Sequence, residues 1–176
     1  MQLRKWKEEG REDLYISVNI SPKDFFFMDV YKAFTELVAK HGIGSASLKL
    51  EITETAMMSE LERQRKLIGR LREAGFAVEM DDFGSGYSSL NMLKDIQVDT
   101  LKIDMAFLGK TDNEDRASKI LKMIVELSKQ LEIPVITEGV ETLDQVKFLR
   151  EIGCDMFQGY YFAKPMEVSA FEEKYM

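Results

Sequence analysis

Residues 81 to 86 read Asp81-Asp82-Phe83-Gly84-Ser85-Gly86, two adjacent carboxylates that close an apolar run and open into a glycine-hinged segment. Neighbouring acids repel unless positive charge lies between them, and a divalent cation is the usual source. A solvated Asp-Gly turn uses the same residues for backbone reasons. The pair alone leaves the two readings level. Five other strand-like runs also carry reactive groups. Asn19 lies at the end of 14–20, Glu51 in 47–52, Lys102 with Asp104 at the end of 98–103, Glu138 at the end of 134–138, and Gln158 in 154–160. Polar groups in apolar strand contexts are costly to bury unless paired. Six runs behaving alike favour strand C-termini that converge on one mouth.

The residue types narrow the chemistry. Carboxylates and an amide oxygen are hard ligands that suit Mg²⁺ or Mn²⁺. The only histidine, His41, precedes Gly42 and reads as a helix terminus rather than a ligand. No Ser-His-Asp or Cys-His arrangement is available for a nucleophile. A carboxylate cluster able to hold two metals, with a lysine nearby, suits in-line hydrolysis of a phosphodiester. Lys102 would orient the attacking water or offset phosphate charge; its bland alternative is a solvated lysine at a sheet edge.

These groups need elements to position them. Helical patterns at 2–9, 28–41, 55–74, 113–131 and 142–151, and one after Met166, alternate with the six strand-like runs, 76–81 among them. In 55–74, Leu61, Leu67, Ile68 and Leu71 share one face while Arg63, Arg65 and Arg70 face solvent, and Gly75 stops the helix. Such alternation predicts an α/β fold with a parallel sheet and right-handed crossovers. A closed (β/α)₈ barrel takes ~250 residues and at least ~200, more than the 176 present. The sheet is therefore either open and doubly wound or a TIM-type barrel that is incomplete. The ring of polar strand ends favours the barrel, with about six of eight strands present and the first two βα units missing. Residues 1–176 read as a single domain.

Composition sets outer bounds. A net charge of −7 argues against a broad basic face for polymeric nucleic acid and against contact with an anionic membrane. A small phosphorylated ligand remains allowed, because bound metal can supply positive charge locally. One cysteine, Cys154, excludes an intramolecular disulfide and a cysteine zinc cluster. There is no 18-residue apolar stretch, and the charged N-terminus is no signal peptide, so the expectation is a cytoplasmic protein.

The ordered set of motifs resembles the EAL domain family, the bacterial cyclic-di-GMP phosphodiesterases. The matching segments are Val18-Asn19-Ile20-Ser21, Leu50-Glu51-Ile52-Thr53-Glu54, Asp81 through Leu90, Leu101-Lys102-Ile103-Asp104, Glu138-Gly139-Val140-Glu141-Thr142 and Gln158-Gly159-Tyr160. The resemblance implies two Mg²⁺ or Mn²⁺ ions and hydrolysis of cyclic-di-GMP to linear pGpG. Asn19, Glu51 and Asp81 would hold the first metal, with Asp81 bridging to a second completed by Asp82 and Glu138. Lys102 would contact the water between the metals, and Asp104 would support the phosphate-binding end. Glu54 would anchor the mobile loop after Asp82, Glu141 would be a supporting acid, and Gln158 would lie at the substrate edge. That loop and the helix beside it are also implied to form a dimer contact.

One departure stands out. The family's N-terminal Glu-X-Leu segment, with a metal-binding glutamate and a substrate-binding arginine shortly after it, has no counterpart. Glu12-Asp13-Leu14 lacks the arginine and directly precedes the Asn19 strand, and Glu141-Thr142-Leu143 belongs to another motif. The first metal would lack a ligand, and the incomplete barrel would expose sheet edges. This implies a homodimer or an edge-paired oligomer. It also opens an alternative function, a catalytically degenerate module that binds cyclic-di-GMP or a protein partner. A more distant alternative is a lyase or enolising barrel using Lys102 and Glu138 as acid and base.

Overall fold

Period-two alternation gives the strands two faces of opposite character. In the run Leu48-Lys49-Leu50-Glu51-Ile52-Thr53, the leucines and Ile52 are buried under helices while Lys49 and Glu51 point to the other side. The computed structural model of the chain describes residues 1–58, 60–84, 89–108 and 114–176, without side chains at 89, 91, 107, 108 and 114. The elements in order are α1 (Gln2–Glu8), β1 (Ile16–Ile20), α2 (Asp24–Phe27), α3 (Val30–His41), β2 (Leu48–Thr53), α4 (Glu54–Met58), α5 (Leu61–Glu73) and β3 (Ala77–Asp81). They continue as α6 (Ser89–Asp95), β4 (Thr100–Asp104), α7 (Glu114–Gln130), β5 (Val135–Glu138), α8 (Leu143–Glu151), β6 (Met156–Phe157) and α9 (Val168–Tyr175).

All neighbouring strands pair in parallel, in the order β1-β2-β3-β4-β5-β6. A doubly wound sheet reverses its strand order at a switch point; this one advances one strand at a time, as a barrel does. The ring stays open, with no pairing between β1 and β6 among the described residues. The outer face of the sheet and the helices enclose one continuous apolar core, in which Leu50, Ile52, Met80, Leu101 and Ile103 meet Ile68, Leu71, Leu121 and Leu149. Across the gap, α1 meets α9: Trp6 lies 5.7 Å from the Phe171 ring, and Glu172 accepts hydrogen bonds from Gln2, Lys5 and Trp6.

Besides two short helices absent from the pattern read in the sequence, α2 and α6, three elements depart from it. The helix expected at 28–41 begins at Val30, because the Asp29 side chain caps it by accepting from the Lys32 N–H. The helix expected at 55–74 is two, parted near Glu60, whose φ of 55° is left-handed. The last strand is two residues long rather than seven. Beyond it the Gln158 N–H still donates to Thr137 and its carbonyl still accepts from Val140. Gly159 then comes so close to the Val140 backbone that a Cβ would lie 2.2 Å from its carbonyl oxygen, and the chain turns away.

Candidate active site

The strand faces turned away from the helices carry the polar groups, so the C-terminal ends of β2, β3, β4 and β5 bring Glu51, Asp81, Lys102 and Glu138 together. The Lys102 side chain is almost wholly buried. Its Nζ lies 2.6 Å from Glu51 Oε1, 3.0 Å from Glu138 Oε1 and 3.6 Å from Asp81 Oδ1. Burial by itself favours a neutral amine. Hydrogen bonds that Lys102 donates to Glu51 and Glu138, and the charges of Glu138 and Asp81, outweigh it, and the Lys102 pKa is raised above the ordinary lysine value. Lys102 is a fixed ammonium, a donor rather than a base.

One ammonium does not satisfy this many acids. The Glu138 pKa is raised, first by burial and further by Asp81 and Glu51, in spite of Lys102. Asp82 is raised too, by partial burial and then by the charges of Asp81 and Asp104. Its backbone is left-handed at φ 55°, and its N–H donates to Asp81 Oδ1 at 3.0 Å. Asp104 sits beside Glu138 in the β4–β5 register and accepts from the Ala106 N–H at 2.7 Å. A Cβ at Gly139 would stand 3.0 Å from Asp104 Oδ1, so a glycine here keeps the acid close.

The remaining expected site residues fall at varied distances from Lys102. Asn19 is exposed at the end of β1, in register with Glu51. Glu54 is fully buried, and its Oε2 accepts from the Gly84 N–H at 3.1 Å, tying α4 to the start of the segment after Asp82. The Phe83 N–H donates to the Lys102 carbonyl at 3.0 Å. The rest of that segment, residues 85–88, lies outside the described residues, so the expected mobile loop and its dimer contact do as well. Glu141 is exposed, and its N–H donates to the Gln145 side chain within the capping box of α8. Gln158 is exposed and lines a cavity of about 580 Å³ with Trp6, Tyr160 and Phe162.

No three acidic side chains among the described residues converge closely enough to hold an ion as they stand, because the mouth is organised around Lys102. The donor set nevertheless fits a hard divalent cation. Glu51, Asp81, Asp82 and Glu138 offer only oxygens, and among the described residues Lys102 is the ammonium paired with them. The sequence reading missed a second polar group deeper inside: Glu79 accepts from both Ser17 and Lys49, and the three lie two residues before Asp81, Asn19 and Glu51 respectively. That same i, i+2 spacing was the signal that could have revealed it.

Six parallel strands in barrel order, with an acid-rich mouth around a buried lysine, define an α/β protein of the TIM-barrel type. The chain belongs to the EAL domain family, which it matches over residues 1–165. It is 35% identical over 171 residues to cyclic di-GMP phosphodiesterase NbdA of Pseudomonas aeruginosa, covering 97% of this chain and 22% of that protein. It spans about a fifth of the length of the curated relatives it matches. Among solved structures, the MucR phosphodiesterase in complex with cyclic-di-GMP superposes with a TM-score of 0.89 at 32% identity, over 97% of this chain and 69% of that one. The manganese/cyclic-di-GMP complex of Klebsiella pneumoniae BlrP1 superposes with a TM-score of 0.80 at 28% identity, over 93% of this chain and 42% of that one.

Proposed function

We propose that this EAL domain hydrolyses one phosphodiester bond of cyclic-di-GMP, giving linear pGpG, in bacterial second-messenger signalling. The observation that carries the reading is Lys102 Nζ within 3.6 Å of Glu51, Asp81 and Glu138 at four neighbouring strand ends. Asn19, Glu51 and Asp81 would hold one Mg²⁺ or Mn²⁺, and Asp81, Asp82 and Glu138 a second. When bound, such ions activate water and neutralise phosphate charge. The chain's own residues supply the rest. Lys102, kept charged, donates to the attacking water or to a phosphate oxygen and cannot remove a proton. Water oxygen bonds to phosphorus, the bond to the 3′ oxygen breaks, and the proton ends on that departing oxygen. Glu54, through Gly84, fixes the segment that leaves Asp82. Asp104 supports the phosphate end, Glu141 supports the acids from further out, and Gln158 meets the substrate edge.

The same reading has the domain act in the cytoplasm. No helix among the described residues is long and apolar enough to cross a membrane. Among the described residues the outer edges of β1 and β6 are unpaired, which supports a homodimer or an edge-paired oligomer.

Incubation of the purified chain with cyclic-di-GMP and Mg²⁺ or Mn²⁺, followed by chromatography, tests the function. The expected result is pGpG that disappears on chelation and in Asp81→Asn and Lys102→Met. Saturable binding by calorimetry without pGpG would make the domain a receptor. Neither binding nor turnover would overturn both readings.

A further inference from the structure

Beneath the mouth, the open barrel holds a second polar group that the reaction does not use. Glu79 on β3 is 1% exposed. Its Oε1 accepts from Lys49 Nζ on β2 at 2.9 Å, and its Oε2 accepts from Ser17 Oγ on β1 at 3.2 Å. The Lys49 ammonium also lies 3.9 Å from the centre of the Tyr15 ring. Each of these three strand residues precedes a mouth residue by two positions: Ser17 precedes Asn19, Lys49 precedes Glu51, and Glu79 precedes Asp81. At a rise of about 3.3 Å per residue, the lower group lies roughly 7 Å below the upper on the same face.

The contact between Glu79 and Ser17 skips a strand. Ladder hydrogen bonds fix β1 against β2 and β2 against β3, but they leave free the angle between the two pairs, which is the curvature of the sheet. A side-chain bridge from β3 to β1 across the concave face sets that angle. A buried carboxylate holds such a bridge only while Lys49 balances its charge; an unpaired one would be expelled or protonated.

We propose that Glu79, Lys49 and Ser17 are positioning residues that fix the curvature of β1-β2-β3 and so the separation of Asn19 and Asp81 across Glu51. The inference rests on the metal-binding reading of the mouth. None of the three is among the residues assigned above to metal or substrate. They act through the strands that carry the ligands, as outer-sphere partners do at metal sites.

Two readouts test it, one without metal. Crystal structures of the metal-free wild type and of Glu79→Leu are expected to differ in the Asn19 to Asp81 separation; superposition of β1-β2-β3 within coordinate error would overturn the proposal. Manganese titration followed by electron paramagnetic resonance of free Mn²⁺ is the second. Glu79→Leu and Lys49→Met are expected to weaken Mn²⁺ binding by about 10- to 100-fold, the range for outer-sphere partners. The exchanged pair Lys49→Glu/Glu79→Lys should recover most of the loss. Arg72→Met is the control, since it removes an ion pair to Asp99 of 2.9 Å that lies outside the barrel interior. It should lower thermal stability and leave Mn²⁺ affinity within about twofold. Equal Mn²⁺ affinity in wild type and Glu79→Leu, with only stability lowered, would reduce the group to a structural ion pair. A wild type that takes up no Mn²⁺ would sink the metal reading instead, and the metal-free structures would then decide the positioning role alone.

Discussion

Two charge clusters in this chain are near inversions of each other. Where α1 meets α9, one carboxylate has three donors: Glu172 accepts from Gln2 at 2.7 Å, Lys5 at 2.8 Å and Trp6 at 2.7 Å. Its pKa is lowered, first by the Lys5 hydrogen bond and then by Trp6. At the mouth, one ammonium has three acids, and Glu138 is raised although Lys102 touches it. The clasp is complete within the chain. The mouth carries more negative charge than its own lysine balances, and a divalent cation is the complement that such a surplus suits. Surplus acid that a fold maintains at strand C-termini marks a functional site more surely than any one of its residues.

The largest expected effect comes from removing the Lys102 ammonium from the mouth. Lys102→Met leaves buried Glu51 and half-buried Glu138 without their ammonium, and urea unfolding should show a loss of about 3–5 kcal/mol. Lys5→Met at the exposed clasp should leave stability far less changed. If the two variants lose the same amount, the contrast between the sites fails. Adding the external complement is the next test. At about 100 times its dissociation constant, Mn²⁺ should raise stability by about 2.7 kcal/mol, and Asp81→Asn should abolish that gain. A smaller effect of opposite sign belongs to Asp82→Asn. It removes a charge crowded by Asp81 and Asp104 and suits the left-handed backbone at φ 55°. The metal-free variant should be more stable by less than about 1 kcal/mol, while its Mn²⁺ response shrinks. A less stable Asp82→Asn would mean that the acids of the mouth are not in surplus.

How far the sequence could be read follows from the same physics. Motifs spaced along the chain identified the mouth because each strand end contributes one residue type that chemistry demands, and Glu51, Asp81, Lys102 and Glu138 do meet. The barrel order was legible from strand–helix alternation together with that convergence. Lys49 and Glu79 escaped notice because polar residues alternating in a strand look like a solvated face. In this sheet the second face is the barrel interior, and there they need each other. The late start of α3 after Asp29 and the short β6 were hidden for local reasons. A side-chain cap set the start of one helix two residues late, and the close approach of Gly159 to Val140 ended the strand.

The weakest expected effect is also the one that compares the two clusters most directly, because their pH dependences have opposite signs. Glu172 has a lowered folded pKa, so its stabilising contribution is present above the ordinary value of 4.5 and is lost as pH falls through the lowered value. Glu138 has a raised folded pKa. Its proton is held more tightly in the folded chain, so its contribution is full below 4.5 and is lost as pH rises through the raised value. Urea unfolding between about pH 3 and pH 7, without metal, can separate them. The deficit of Glu172→Gln relative to wild type should be greatest near neutrality and shrink as the solution is acidified. For Glu138→Gln the difference should move the other way, shifting in the variant's favour as pH rises above 4.5, because the wild type then pays to ionise a carboxyl that the glutamine does not have. Binding of Mn²⁺ should cancel the second trend and leave the first untouched, since only the mouth has acid to spare. Parallel pH profiles for the two variants would show that both acids are equally satisfied within the chain, and the surplus at the mouth would then need another explanation than a missing cation.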